Sequence, residues 1–289
     1  MTTRVRPERV RTRHARTTRP CSYRLALAAA LAAIALTASQ SAAHDTWLLP
    51  SSLRVPVGQK VTLHLTSGMV FAADDFAINP GRIRRADVRL MGATRPLGNR
   101  TQSENATLYR WTPATAGIAA LAVELAPKVL TLDPKLIGVY LDEIGATRET
   151  RAAWDAMPGP KQWREAYVKH AATFVRVGNV SDAGWTAPLG LGFELQPLAD
   201  PTALTPGQTL DIRVSRGGTA LAGQPVTLRR EGDTSISVVT SDAAGRVTMR
   251  LAREGRYLIA ATQLRRATRP NLEWESDFAT LTLAVAPAR

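Results

Sequence analysis

From Leu53 to Gly68 the chain reads LRVPVGQKVTLHLTSG, and apolar and polar residues alternate along it. Val61, Leu63 and Leu65 fall on one face, and Thr62, His64 and Thr66 fall on the other. A period of two predicts a half-buried strand, punctuated by turns at Pro56, Gly58 and Gly68. ADVRLMG, TLYRWTPATAG and IAALAVELAP repeat the theme, so an antiparallel β-sandwich is expected over residues 44–130. The pattern then changes. Leu136, Val139, Tyr140 and Ile144 follow Asp133-Pro134 at near-helical spacing, and Trp163, Ala166, Tyr167 and His170 resume it beyond the MPGP break. Two helices, over 134–156 and 160–172, are therefore predicted within an insertion spanning 131–178.

A connecting segment, 179–196, leads back to alternation. Six or seven short strands at regular spacing predict a second sandwich over 197–287. Its expected core is Leu210, Ile212, Val214, Val226, Leu228, Val238, Val247, Leu251, Tyr257, Ile259, Leu281 and Leu283. In the SDAAGR turn, Asp242 is expected to bond backbone amides. The fold class that follows is mainly β: two Ig-like antiparallel β-sandwich domains with a short helical insertion between them.

The first 43 residues carry a different signal. Eight arginines against one acid, Glu8, fill residues 1–24, and the apolar run LALAAALAAIALTA follows. That run is shorter than the roughly 20 residues a membrane span needs. Ser41 and Ala43 then form a small-x-small site, so residues 1–43 read as a signal peptide cut before His44. The mature protein is expected in the periplasm.

This reading alters the charge balance. The formal net charge is +13, and residues 1–24 supply 8 − 1 = +7, which leaves 13 − 7 = +6 after the cut. No Lys/Arg cluster interleaved with aromatics survives, so nucleic acid is set aside as a partner. Cys21, the one cysteine, lies in the leader, which removes disulfides and thiolate metal sites from the mature chain. G-x-S-x-G, Walker and H-E-x-x-H motifs are absent, and no enzyme activity is expected.

Cleavage would also create chemistry. An amino-terminal His44 offers its α-amino nitrogen and ring Nδ1 to one ion, a chelate suited to Cu²⁺, Ni²⁺ or Zn²⁺. Asp45 could add a carboxylate. His64 lies on the polar face of its strand; it is either a surface histidine or, if its strand pairs with the His44 segment, a third nitrogen. His170 is placed on the second predicted helix with Tyr167 and Trp163, as a packed residue or as a ligand. Asp74-Asp75 reads as a solvated turn, and Glu143, Glu149 and Asp155 as the exposed side of the first helix.

HDTWLLP, YLDEIGATRETR, WREAYVKHAATFVRVG, LGFELQPLADPTALTPGQTL, TSDAAGRVTMRLAREGRYLIAAT and FATLTLAV occur in this order. Together they resemble the exported family designated domain of unknown function 4198, over essentially all of His44 to Val285. Its members are often labelled periplasmic nickel- or cobalt-uptake components. The resemblance implies metal handling in the periplasm; a divalent transition metal (Ni, Co or Cu) is expected, with His44, Asp45, His64 and His170 as candidate ligands and an inner- or outer-membrane uptake transporter as partner. It places a histidine in the segment of His170, and a further one where this chain has Gln263, which puts tight nickel binding in doubt. The alternative is a metal-free periplasmic interaction protein that binds a carbohydrate, peptide or outer-membrane partner. A copper oxidase built on a histidine brace is a third reading.

Overall fold

The computed structural model describes residues 44–159 and 161–287; the leader, apolar run and cleavage signal predicted over 1–43 lie outside the described residues. The strands of the first half are β1 (Asp45–Pro50), β2 (Arg54–Val55), β3 (Val61–Gly68), β4 (Phe76–Ala77), β5 (Ile83–Leu90), β6 (Ala93–Pro96), β7 (Arg100–Gln102), β8 (Thr107–Trp111), β9 (Gly117–Leu125) and β10 (Lys128–Leu132). Helices α1 (Ile137–Glu143) and α2 (Arg148–Asp155) follow. Then come β11 (Trp163–Val177), β12 (Phe193–Pro197), β13 (Thr209–Arg216), β14 (Thr219–Ala220), β15 (Pro225–Arg230), β16 (Ser237–Thr240), β17 (Arg246–Arg250), β18 (Gly255–Arg266) and β19 (Trp274–Val285).

These strands build two Ig-like sandwiches that share one sheet. A ten-stranded sheet runs β16-β15-β18-β19-β11-β9-β5-β6, with β10 and β2 also paired to β11. A five-stranded sheet, β1-β3-β8-β7 with β4, contributes to a core with Ala119, Leu121 and Val123 of β9 and Ala171 and Val175 of β11. A four-stranded sheet, β12-β13-β14 with β17, shares a core with Ile118, Ala120 and Ala122 of β9 and Ala172 and Phe174 of β11. Successive side chains of a strand point to opposite faces. The two smaller sheets therefore cover opposite faces of the shared one, and β9 and β11 are buried on both sides.

That double burial corrects the second predicted helix. Residues 163–177 form a strand, with every position buried except Arg164 and Lys169's neighbour Val168. It pairs parallel to β19 from Glu165↔Trp274 to Thr173↔Thr282, and antiparallel to β9 and β10. A strand covered on both faces is apolar almost throughout, so the alternation that identifies a half-buried strand disappears. The helical spacing of Trp163, Ala166, Tyr167 and His170 then emerges by accident. The first predicted helix is present in three pieces: a 3-10 turn at Pro134–Leu136, α1, and then α2. Gly145, at φ +60°, breaks the run between α1 and α2. Thr147 caps α2 by accepting from the Thr150 amide at 3.2 Å.

The helices cover one end of the shared sheet. Ile137, Tyr140, Leu141 and Ile144 pack with Trp163, Tyr167, Trp274 and Phe278. The Trp163 and Trp274 rings stack with centroids 4.9 Å apart. All the expected core residues of the second sandwich are buried except Val238, which is 60% exposed on the edge strand β16. Asp242 accepts from the Ala244 and Arg246 amides at 2.9 Å, as the turn required.

Candidate functional site

β1 sets the site because it carries His44 and Asp45 at its start. It is the edge of the five-stranded sheet, paired with β3, and its other side is fastened to β19. Thr280 and Thr282 donate their hydroxyls to the Thr46 and Leu48 carbonyls at 2.5 and 2.6 Å. Buried bonds of this kind contribute about 1 kcal/mol each. Trp47 is fully buried against Phe71, edge to face at 5.7 Å. The strand is thus immobilised over its first turns of sequence, and His44 with it.

His44 is 6% exposed and stacks on Phe76 at 5.3 Å. Among the described residues neither ring nitrogen has a hydrogen-bond partner. Buried polar atoms are almost always paired, which makes this imidazole a candidate ligand. Burial holds its pKa below the usual histidine value; the Lys169 ammonium adds to this and Asp75 opposes it. The ring is neutral at neutral pH, the form that ligates metals.

Around it lie charged groups of unusual burial. Lys169, 2% exposed, donates to the His44 carbonyl at 2.6 Å and lies over the Tyr167 and Phe278 rings. Desolvation lowers its pKa to about 7, with Asp45 resisting. Burial likewise raises the Asp45 carboxyl, against the pull of Arg229, whose Nη1 is 3.5 Å away, and of Lys169. His44 and Asp45 line a cavity of about 690 Å³. Its other walls come from the α1–α2 connection, Met69, the β15–β16 hairpin and Ala260 to Thr262 of β18.

The structure does not bring the other histidines to this place. β1 and β3 do pair, but the register sets His64 opposite Leu49, five residues from His44. At roughly 3.3 Å per residue that is about 17 Å along the sheet. His64 is instead partly exposed, with Nδ1 2.6 Å from Asp74 Oδ2. This also gives Asp74 a partner, where a solvated turn was expected.

His170 lies on β11, not on a helix, next to Lys169 and so on the opposite face of the shared sheet. Its Nδ1 is 3.4 Å from Glu124 Oε2 and its Nε2 is 3.4 Å from Asp277 Oδ1. Burial alone would discharge the ring, but the two carboxylates outweigh it and hold the pKa above the ordinary value. Glu124 and Asp277 are correspondingly held low, Glu124 chiefly by His170, and Asp277 by His170 and Arg265 against its own burial. Arg265 Nη1 completes the network, 2.6 Å from Asp277. Gly192 covers it closely: a Cβ there would stand 3.1 Å from His170 Cε1. Gln263 is the register partner of Asp277, so its side chain shares that face, and its buried Oε1 has no hydrogen-bond partner among the described residues.

Sequence reasoning missed three participants. Lys169 and Arg229 both act on Asp45 and were not singled out in the sequence. Glu165, fully buried, accepts from Tyr140 Oη and Trp163 Nε1 at 2.8 Å, and from Ser276 Oγ. Among the described residues no group of three or more His, Cys, Asp or Glu side chains is arranged to hold a metal ion.

Residues 41–265 match the family described as Domain of unknown function (DUF4198). The chain belongs to that family. No curated protein matches it. Among solved structures, the D0-D1 domain of intimin is 12% identical, covering 82% of this chain and 96% of that one at a TM-score of 0.21. The Yersinia pseudotuberculosis adhesin InvE is 13% identical, covering 83% and 59% at 0.22. A fragment of Escherichia coli alpha-2-macroglobulin spanning domains MG0-NIE-MG1 is 14% identical, covering 87% and 99% at 0.21. At such scores none of these carries a functional argument. The DUF4198 match ends at Arg265, so β19, which fastens β1 in place, lies beyond it.

Proposed function

We propose that the mature protein is a periplasmic carrier that takes a divalent transition metal ion, Ni²⁺, Co²⁺ or Cu²⁺, as cargo for a membrane uptake system, and catalyses nothing. The observation that supports this reading is the buried, neutral His44 imidazole with both nitrogens unpaired at the wall of a cavity. Cleavage before His44 would add the α-amino nitrogen, and the pair would close a chelate ring. Asp45 lies beside it as a carboxylate, already engaged by Arg229. His64 and His170 take no part: one is about 17 Å along the sheet, and the other lies on the opposite face, between Glu124 and Asp277.

Calorimetric titration of the processed protein with Ni²⁺, Co²⁺ and Cu²⁺ tests the reading. One ion should bind per chain, His44→Ala should abolish it, and His64→Ala and His170→Gln should leave it intact. Retained binding in His44→Ala would falsify the assignment.

A second reading, a metal-free interaction protein, draws on a specific surface. Ile236 and Val238, 47% and 60% exposed, stand at the β16 edge of the shared sheet beside the cavity. An edge strand with exposed apolar side chains suits an added peptide strand. That reading predicts a purified protein with no stoichiometric metal and a silent His44→Ala.

A further inference from the structure

The cavity beside His44 is far larger than an ion requires. Its volume of about 690 Å³ falls in the range of small-molecule sites, roughly 300–1,000 Å³. Its walls are of two kinds. Met69, Pro225, Ile236 and Val238 present apolar surface, while Glu143 and Glu149 supply negative charge, Asp142 being paired with Arg151 and Arg229 with Asp45. His44 stands at the wall as a polar side chain more than nine-tenths buried with no partner among the described residues.

The coordination chemistry meets this shape. An α-amino nitrogen and Nδ1 of one histidine occupy two neighbouring positions of an ion. Cu²⁺ and Ni²⁺ favour tetragonal nitrogen and oxygen surroundings, so two in-plane positions are left for other donors. We infer that the cargo is a metal ion already carrying a small bidentate organic chelator: the chelator's apolar body fills the cavity, the acidic rim favours the complex's positive charge, and His44 completes the coordination. This rests on the reading of His44 as the metal site.

The test uses the full mature chain, beginning at His44, and two probes: Cu²⁺ alone and the 1:1 complex of Cu²⁺ with 2,2′-bipyridine. Calorimetry measures affinity, and the copper spectrum counts nitrogens. The expected result is a ternary 1:1:1 species with four in-plane nitrogens. Val238→Trp, on an exposed edge strand, should weaken the bipyridine complex about tenfold, or 1.4 kcal/mol, and leave bare Cu²⁺ unchanged. Glu143→Arg, which inverts a charge on the rim, should weaken the complex more than the bare ion. If bipyridine is stripped away, or if both variants bind both probes as the wild type does, the inference is overturned while His44 stands as a metal site. If neither probe binds, or His44→Ala binds both, the metal reading itself is lost and the inference goes with it.

Discussion

At the scale of single residues, the buried ionisable groups divide by what surrounds them. His170 is buried, which lowers its pKa, but the two carboxylates facing it raise it further than burial lowers it, and the sign of its pH dependence follows. A histidine whose folded pKa is raised contributes stability that is fully present below its unfolded value, near 6.5, and is lost as pH rises through the folded pKa. Glu124 and Asp277, held low, contribute above their own unfolded values and lose that contribution in acid. His170→Gln should therefore cost about 3 kcal/mol at pH 6 and distinctly less at pH 9, as urea denaturation would read. An equal cost at both pH values would show that the pair carries no charge. Glu165 is the complementary case: burial raises its pKa although three side chains donate to it. Glu165→Ala would leave those buried donors without an acceptor, and a loss of about 3 kcal/mol is expected. Glu165→Gln, which keeps an acceptor oxygen, should cost less than half of that.

At the scale of elements, legibility tracked one-sided burial. β3 was readable because Val61, Leu63 and Leu65 are buried while Thr62 and His64 are not. Most of the second sandwich was readable for the same reason. β11 was not, because sheets cover both of its faces and its polar residues, among them Glu165, Lys169 and His170, are buried along with the apolar ones, so no period of two marks it. The helical piece was legible in place but not in shape, since Gly145 carries the left-handed turn that divides it. The site was legible at its centre and not at its edges. His44 and Asp45 follow from a chain position, but whether His64 reaches them depends on strand register, which alternation alone leaves open by whole residue pairs. The close approach of β3 to the site is itself testable. A Cβ on Gly68 would stand 2.9 Å from Asp75 Cβ and 3.0 Å from the Trp47 ring. Gly68→Val should destabilise the protein by about 2 kcal/mol and displace Trp47, visible as a shift in near-ultraviolet circular dichroism. A variant as stable as the wild type would mean that this corner has room to spare.

At the scale of the whole molecule, the shared ten-stranded sheet makes the two sandwiches one cooperative body. β11 pairs with β9 of the first and β19 of the second, and the Thr280 and Thr282 hydroxyls reach back to β1. Calorimetric unfolding of residues 44–287 should therefore show one transition, and a chain ending at residue 196 should not fold, having lost the strand that lies along β11. Two separated transitions would contradict a shared core. The same linkage joins fold to function, because β19 and Lys169 of β11 hold the start of β1, and the start of β1 is His44. The central claim, that a buried His44 becomes a metal chelate when the chain begins there, is tested most directly by titrating Cu²⁺ into two proteins. One begins at His44; the other carries a single additional residue ahead of it, which replaces the free amine by an amide. The chelate predicts a loss of at least about tenfold in affinity for the extended protein, about 1.4 kcal/mol; equal affinity in the two would contradict it.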